Sequence, residues 1–397
     1  MLVRRLVLED FRSYDHADIT LAPGLTAFVG PNGAGKTNLL EAIHLLARGD
    51  SPRAGDDTEM VRWGASMARV VAETVRDDEA ARSEALLFVP APGERRRPRR
   101  YLVDGAAKRA EDALGRIVVV AFFPEDVELL REAPSARRRY LDAMIAQVDR
   151  RHRTEAREYQ RVVDQRNALL RALHDEEATT RAPAAMAPPE GSGGAGTETS
   201  EAERGEEREL AFWDAELCRL AASVSLRRMR AVREIRSPFR EAVERWGGEH
   251  VVDVAYATAA EGETEPERAA AYGRLLAEKR EKEMWQGSTL IGPHREDLAV
   301  TSGGRDLPSF ASRGEQRSVV LALKLAEAAW LGERTRTTPI FLLDDVLSEL
   351  DPERRQRLVE GLHPGAQAFV TSALPVGLPR ALTEGARVVP VRRGEAP

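Results

Sequence analysis

The stretch from Gly30 to Thr37 constrains the fold of this chain more than any other. It reads Gly30, Pro31, Asn32, Gly33, Ala34, Gly35, Lys36 and Thr37, which matches the pattern G-x-x-x-x-G-K-[ST] of a phosphate-binding loop. The apolar run 25–29 predicts a strand before it, and residues 37–47 predict a helix after it. Backbone N–H groups would surround phosphate oxygens, Lys36 would neutralise the outer phosphates, and the Thr37 hydroxyl would hold Mg²⁺. A Gly-rich turn that caps a helix by chance is the alternative.

A pair of carboxylates near the other end of the chain suits the same chemistry. Residues 339–345 read Pro-Ile-Phe-Leu-Leu-Asp-Asp, and four consecutive apolar residues indicate a buried central strand. Asp344 would hold Mg²⁺ through oxygen. Asp345 would orient or deprotonate the attacking water and is our candidate catalytic carboxylate. Taken alone, the pair could simply be two acidic residues that close a strand.

A third motif, Ser312-Arg313-Gly314-Glu315-Gln316-Arg317, precedes the apolar-periodic run 318–330. It resembles the signature motif of ABC-type ATPases, in which the serine and the helix N-terminus contact the γ-phosphate bound by the partner subunit. The resemblance makes Ser312 a catalytic candidate and adds Gly314 and Gln316 to the nucleotide contacts. Ser348-Glu349-Leu350-Asp351 resembles the D-loop of that class, which adds Asp351. An ordinary N-cap serine with an acidic first turn is the alternative.

Composition restricts the remaining possibilities. The net charge of −6 argues against a uniformly basic nucleic-acid binder, but arginines cluster locally. Arg137, Arg138 and Arg139 are our candidate contacts to DNA phosphates, with a solvated helix face as the alternative. The one cysteine, Cys218, suits a reducing cytoplasm, and the longest apolar run, 117–123, is too short to span a membrane. The histidines and the cysteine show no metal-ligand spacing.

The order of these motifs predicts a divided α/β domain. Residues 1–123 read as the first part of an ATPase domain, rich in strands and including the phosphate loop. Residues 124–285 read as a helical insert, with Ser135 as an N-cap and a disordered linker at 175–209. Residues 286–397 read as the second part of the ATPase domain. The predicted fold is an ABC-type phosphate-loop ATPase head, a mixed sheet with flanking helices, interrupted by a mostly helical second domain.

Several longer strings resemble the RecF family of bacterial recombination mediators, which is related to the chromosome-maintenance ATPases. They are LVRRLVLEDFRSY, FVGPNGAGKTNLLEAIHLLA, FFPEDVELLREAPSARRRYLD, GPHREDL, SRGEQRSVVLALKLAE and PIFLLDDVLSELD. The resemblance implies a slow, DNA-dependent ATPase of the cytoplasm that dimerises head to tail around two ATP molecules. It also implies binding to duplex DNA near gaps or junctions, and work with RecR and RecO to load RecA in repair, replication restart and the SOS response. Thr371 stands where the wider ABC class has a histidine, and no glutamine loop is assigned.

Three other functions compete with this interpretation. A transporter ATPase subunit would lack the long helical insert, and a chromosome-maintenance DNA tether would have a sustained coiled coil that is missing here. An ATPase-coupled nuclease would need an added domain, and about fifty residues after Asp345 are too few for one.

Overall fold

The computed structural model describes residues 1–90, 99–180, 201–245, 251–346, 350–362, 365–373, 386–392 and 394. Within these residues the strands are β1 Leu2–Phe11, β2 Tyr14–Thr20, β3 Leu25–Val29, β4 Met67–Arg76, β5 Glu79–Phe88, β6 Arg100–Val103, β7 Ala106–Lys108, β8 Val119–Phe122, β9 Val252–Ala257, β10 Asp297–Ser302, β11 Arg305–Asp306, β12 Ile340–Leu343, β13 Ala368–Ser372 and β14 Arg387–Pro390. The α-helices are α1 Lys36–Arg48, α2 Ala110–Ala113, α3 Pro134–Ala146, α4 Arg150–Thr180, α5 Glu201–Arg245, α6 Glu265–Gln286, α7 Arg313–Thr335 and α8 Pro352–Gly361. Short 3₁₀ helices cover Asp57–Met60, Pro124–Glu128 and Leu307–Ser309.

A parallel sheet of five strands positions the motifs, with the strand order β14-β3-β13-β12-β8. Its strands β8 and β12 are continuous apolar runs, and β3 is apolar except for Thr26, as expected for a sheet that is covered on both faces. The phosphate loop follows β3 and the carboxylate pair follows β12, so both leave the sheet at the carboxyl edge. Strand β13 lies between β3 and β12. Open α/β sheets bind ligands at this edge.

A second sheet is antiparallel and has the order β2-β1-β4-β5-β6-β7. Val3, Leu6 and Leu8 of β1 lie in the core, and a shift in register between Val3 and Arg5 accounts for the spacing of three between the first two. The same hydrophobic core includes Leu39 and Ile43 of α1, so the helix after the phosphate loop packs between the two sheets' apolar side chains. A third sheet has the order β11-β10-β9.

The chain divides into two compact units. The first comprises Met1–Arg150, Val232–Ala255 and Ala299–Pro397, and the second comprises Arg151–Ala231 and Tyr256–Leu298. Helix α3, which the sequence assigned to the helical insert, belongs to the first unit, where the Tyr140 hydroxyl donates to the Leu323 carbonyl of α7 at 3.4 Å. The predicted boundaries at 123 and 285 stay predictions.

The predicted linker at 175–209 is wrong at both of its ends, because α4 continues to Thr180 and α5 begins at Glu201. Those ends are rich in glutamate and alanine, which are good helix formers when they extend an existing helix. Residues 181–200 lie outside the described part of the chain. The N-cap of α3 is Ala133 rather than Ser135, because Pro134 takes the first helical position, where its missing N–H has no cost.

Candidate nucleotide site

The phosphate loop joins β3 to α1 in a space that excludes larger residues. A Cβ atom on Gly30 would lie 2.1 Å from the carbonyl oxygen of Val391. Gly35, the N-cap of α1, has φ 105°, and a Cβ there would lie 2.7 Å from Ser13 Oγ. Both positions therefore require glycine, because a side chain would collide with Val391 or Ser13.

The two side chains that end the loop point to different partners. Lys36 is largely buried, and its Nζ donates to the carbonyls of Gly30 at 2.8 Å and Pro31 at 3.0 Å. Burial lowers the pKa of Lys36, although the charges of Asp345 and Asp344 act in the opposite direction. Thr37 Oγ1 donates to Asp344 Oδ1 at 2.9 Å across 307 positions of sequence. The two residues predicted to hold Mg²⁺ thus lie side by side.

The two carboxylates differ in exposure. Asp344 is 4% exposed, and burial raises its pKa while hydrogen bonds from Thr371 and Thr37 act to lower it. Asp345 is exposed and has φ 50°, in the left-handed region that few non-glycine residues adopt. Its backbone N–H donates to Thr371 Oγ1 at 2.9 Å. The second carboxylate therefore faces solvent from a constrained backbone.

A cavity of about 270 Å³ brings these groups together. Its lining residues are Asn32, Gly33, Gly35, Lys36, Thr37, Asn38, Arg53, Asp344, Asp345, Thr371 and Ala373. The lining combines N–H donors of the loop and the cations Lys36 and Arg53 with the carboxylates that follow β12 and with threonine hydroxyls. Such a set can bind a phosphate chain together with a divalent cation.

Arg53, which the sequence motifs did not indicate, lines this cavity and is held there by a buried carboxylate. Glu41 of α1 is fully buried and accepts hydrogen bonds from Arg53 at 2.5 Å and from Arg12 at 2.9 Å and 2.5 Å. Arg53 also donates to Asn38 Oδ1 at 2.8 Å. Burial opposes ionisation of Glu41, yet the arginines and the Ser51 hydroxyl lower its pKa overall. The carboxylate therefore fixes two arginines against α1.

The signature motif begins α7 as predicted. Ser312 is the N-cap, and its Oγ accepts from the Glu315 N–H at 3.3 Å while the Ser312 N–H donates to Glu315 Oε2 at 2.7 Å. Ser312 is exposed, and a Cβ on Gly314 would lie 3.4 Å from a guanidinium nitrogen of Arg354. Gln316 is buried instead, and its Nε2 donates to the carbonyls of Pro308 and Ala311 at 3.3 Å and 2.9 Å. Its predicted nucleotide contact would require it to leave those carbonyls.

The D-loop is described only in part, because residues 347–349 lie outside the described residues. Asp351 is exposed, and its Oδ1 accepts from the Arg354 N–H at 2.9 Å, which lowers the pKa of that carboxyl. Neither Asp351 nor Ser312, Gly314 and Gln316 lines the described walls of the cavity. Their predicted roles at a nucleotide stay predictions.

The candidate DNA contacts on α3 differ from one another. Arg137 donates to the carbonyls of Leu130 and Glu132 at 3.1 Å and 3.0 Å, so it holds the turn before the helix. Arg138 is half-buried, whereas the Arg139 side chain is 72% exposed and lies 3.7 Å from Glu132. Arg139 is therefore the one of the three that is best placed to meet a phosphate.

Known proteins resemble this chain along nearly its whole length. The family model described as RecF/RecN/SMC N terminal domain matches residues 2–393. A DNA replication and repair protein RecF from Roseiflexus castenholzii is 39% identical over 390 residues, which is 94% of this chain and 93% of the relative. The same protein from Frankia alni is 37% identical over 403 residues, which is 100% of this chain and 99% of the relative.

Solved structures agree with these relatives. A recombination mediator protein RecF–ATPrS of the RecFOR pathway has a TM-score of 0.83 at 26% identity, covering 100% of this chain and 97% of the other. The corresponding RecF–ATP structure has a TM-score of 0.82 at 25% identity, covering 100% of this chain and 96% of the other. An Smc head bound to ScpA shares the fold alone. Its TM-score is 0.53 at 14% identity, covering 100% of this chain and 96% of the other. The predicted ABC-type ATPase head and the predicted family are confirmed, and no described helix could cross a bilayer.

Proposed function

The chain belongs to the RecF family, and we propose that it is an ATP-hydrolysing recombination mediator that acts on DNA. One observation carries the proposal. Lys36 and Thr37 at the phosphate loop share a cavity with Asp344 and Asp345, and Thr37 lies 2.9 Å from Asp344. A loop that binds phosphates and a carboxylate placed to activate water are the two components that ATP hydrolysis requires.

The donor set of the cavity fits ATP with Mg²⁺. Among the described residues, no group of three or more His, Cys, Asp and Glu could hold a metal ion by itself. Thr37 and Asp344 offer two oxygen ligands, which suits Mg²⁺ because this ion keeps waters and phosphate oxygens as its other ligands. Bound Mg²⁺ would neutralise phosphate charge. Lys36 would leave the Gly30 and Pro31 carbonyls to bind the outer phosphates, and Asp345 would orient or deprotonate the attacking water.

The signature motif supports a site that two copies of the chain complete. Ser312 and Asp351 are exposed, and the cavity of their own chain does not include them. In a head-to-tail homodimer formed on ATP, the Ser312 hydroxyl and the first turn of α7 would contact the γ-phosphate held by the partner. Hydrolysis would then separate the two copies.

Membership of the family supports DNA as the macromolecular substrate. A solved relative is a recombination mediator of the RecFOR pathway, so we propose RecR and RecO as partners and RecA loading on gapped DNA as the outcome. We propose slow hydrolysis that DNA stimulates, in the bacterial cytoplasm, during repair, replication restart and the SOS response. Arg139 is the most exposed of the three candidate DNA contacts on α3.

The test measures ATP affinity, ATP hydrolysis and DNA affinity together, with gapped, duplex and single-stranded DNA. Lys36→Ala should lose ATP binding, and Asp345→Asn should bind ATP and DNA but fail to hydrolyse, because the amide cannot act as a base. Lys108→Ala, at an exposed lysine of β7, is the matched control and should behave as the wild type. Normal ATP affinity in Lys36→Ala, or normal turnover in Asp345→Asn, would refute the proposed roles.

A further inference from the structure

Thr371 occupies the position between the two halves of the nucleotide site. It lies near the carboxyl end of β13, the strand that separates β3 with its phosphate loop from β12 with its carboxylates. Its side chain is 2% exposed and lines the cavity. Any group at this position is close to both motifs.

The Thr371 hydroxyl bonds both carboxylate residues at once. Its Oγ1 donates to Asp344 Oδ1 at 2.7 Å and accepts from the Asp345 N–H at 2.9 Å. A hydroxyl has a single proton to donate. Because the Thr371 hydroxyl donates its hydrogen bond to Asp344, it cannot at the same time donate one to a phosphate.

The hydrogen bond from the Asp345 N–H to Thr371 stabilises an unfavourable backbone conformation. Asp345 has φ 50°, a conformation that is unfavourable for a residue with a Cβ atom and persists only where its surroundings hold it. This conformation sets the direction in which the exposed carboxylate leaves the end of β12. The bond to Asp344 meanwhile fixes Oδ1, the same oxygen that Thr37 contacts at 2.9 Å.

We infer that Thr371 is a positioning residue for hydrolysis, which orients the predicted metal ligand Asp344 and the predicted catalytic carboxylate Asp345 through one hydroxyl. The inference rests on the proposed ATPase function. It assigns Thr371 a different task from sensing phosphate, since its proton is committed to Asp344. Partners that orient the ligands of a metal affect activity or metal affinity by roughly 10–100-fold when they are removed.

Three variants of the full chain separate the hydroxyl from the packing. Thr371→Val keeps the shape and removes both hydrogen bonds, whereas Thr371→Ser keeps the hydroxyl. Thr26→Val is the matched control, because Thr26 is a fully buried threonine of the same sheet whose Oγ1 has no hydrogen-bond partner in the described structure. The measurements are the melting temperature, ATP affinity with and without Mg²⁺, and kcat as a function of Mg²⁺ concentration.

Thr371→Val should lower kcat by roughly 10–100-fold or raise the Mg²⁺ requirement to a similar extent. ATP affinity without Mg²⁺ should stay unchanged, because the phosphate loop is intact. Thr371→Ser should restore most of the rate, and Thr26→Val should match the wild type. If Thr371→Val does not fold, Thr371→Ala replaces it in the same comparison.

Two results would overturn the inference. One is wild-type kcat and Mg²⁺ dependence in the folded valine or alanine variant. The other is a serine variant as impaired as the valine variant, which would assign the effect to packing. A wild-type chain that binds no ATP or hydrolyses none would instead refute the proposed function, so the two failures are distinguishable.

Discussion

Replacing Arg166 with methionine should destabilise the second compact unit by about 3–5 kcal/mol, because it leaves a buried carboxylate without its cationic partner. Arg166 of α4 is fully buried. Its guanidinium donates to Asp214 of α5 at 2.7 Å, to Glu283 of α6 at 2.6 Å and to Thr289 Oγ1 at 2.9 Å. One side chain therefore joins three helices to the turn after α6.

The magnitude depends on which carboxylate is left alone. Asp214 also accepts a hydrogen bond from Arg280, so it keeps a cation. Glu283 is fully buried, and in the described part of the chain its carboxylate has one other hydrogen bond, from the Leu290 N–H at 2.7 Å. The cost of Arg166→Met is therefore mainly the unpaired charge of Glu283, and a neutral amide at that position should remove most of it.

Urea denaturation followed by circular dichroism would measure these effects for Arg166→Met and for Arg166→Met combined with Glu283→Gln. The double variant should recover most of the stability, since the amide oxygen of the new glutamine would still accept from the Leu290 N–H. The matched control is Arg171→Met on the same helix, where the exposed arginine donates to the Asn167 carbonyl and the change should stay within about 0.5 kcal/mol. A destabilisation below about 1 kcal/mol for Arg166→Met, or a double variant as unstable as the single one, would refute the reasoning.

Three further predictions concern the dimer, DNA and acid stability. Ser312→Arg should bind ATP normally as a monomer yet fail to dimerise on ATP in light-scattering measurements; a weakened ATP affinity would place Ser312 at its own nucleotide. Arg139→Glu should weaken binding to all DNA sequences and reduce the slope of log affinity against log salt by about 0.9 for each phosphate that is no longer neutralised; an unchanged slope favours a solvated surface. Burial acts to raise the pKa of Glu155, but hydrogen bonds from Ser223, Arg227 and Arg151 lower it to about 2. The value in an unfolded chain is roughly 4.3. Its stabilisation is complete above about pH 4.3 and disappears as the pH falls towards 2, so Glu155→Gln should lose less urea resistance between pH 6 and pH 3 than the wild type; equal losses contradict this.

Local patterns predicted the elements that carry the motifs. Strand β3 lies at the predicted 25–29, and α1 extends the predicted 37–47 by one residue at each end. These elements combine strong periodicity or an unbroken apolar run with a loop of known geometry, so little depends on distant residues. By contrast, β2 at Tyr14–Thr20 has no apolar run that would predict it, and it forms because it pairs with β1 while most of its polar residues face outward.

Long-range placement could not be read from the sequence. Nothing local indicates that β13 lies between β3 and β12, and this order gives Thr371 its two partners. Nor does a pattern indicate that Arg53 pairs with a carboxylate inside α1, because a glutamate in an amphipathic helix usually faces solvent. Such pairings depend on the packing of the whole unit, and they supply much of the lining of the nucleotide site.

The strand order of the parallel sheet also has a consequence for how the protein is made. Both neighbours of β3, β13 and β14, come from the last part of the sequence, and Gln367 bonds Val3 of β1 across 364 positions. At about 5–20 residues per second, a ribosome needs roughly 20–70 s between making the phosphate loop and making its supports. During that time β3 has two unpaired edges, which are prone to association with other chains. Early protection of the nascent amino-terminal part, by a chaperone or by its own antiparallel sheet, should therefore raise the yield of folded protein.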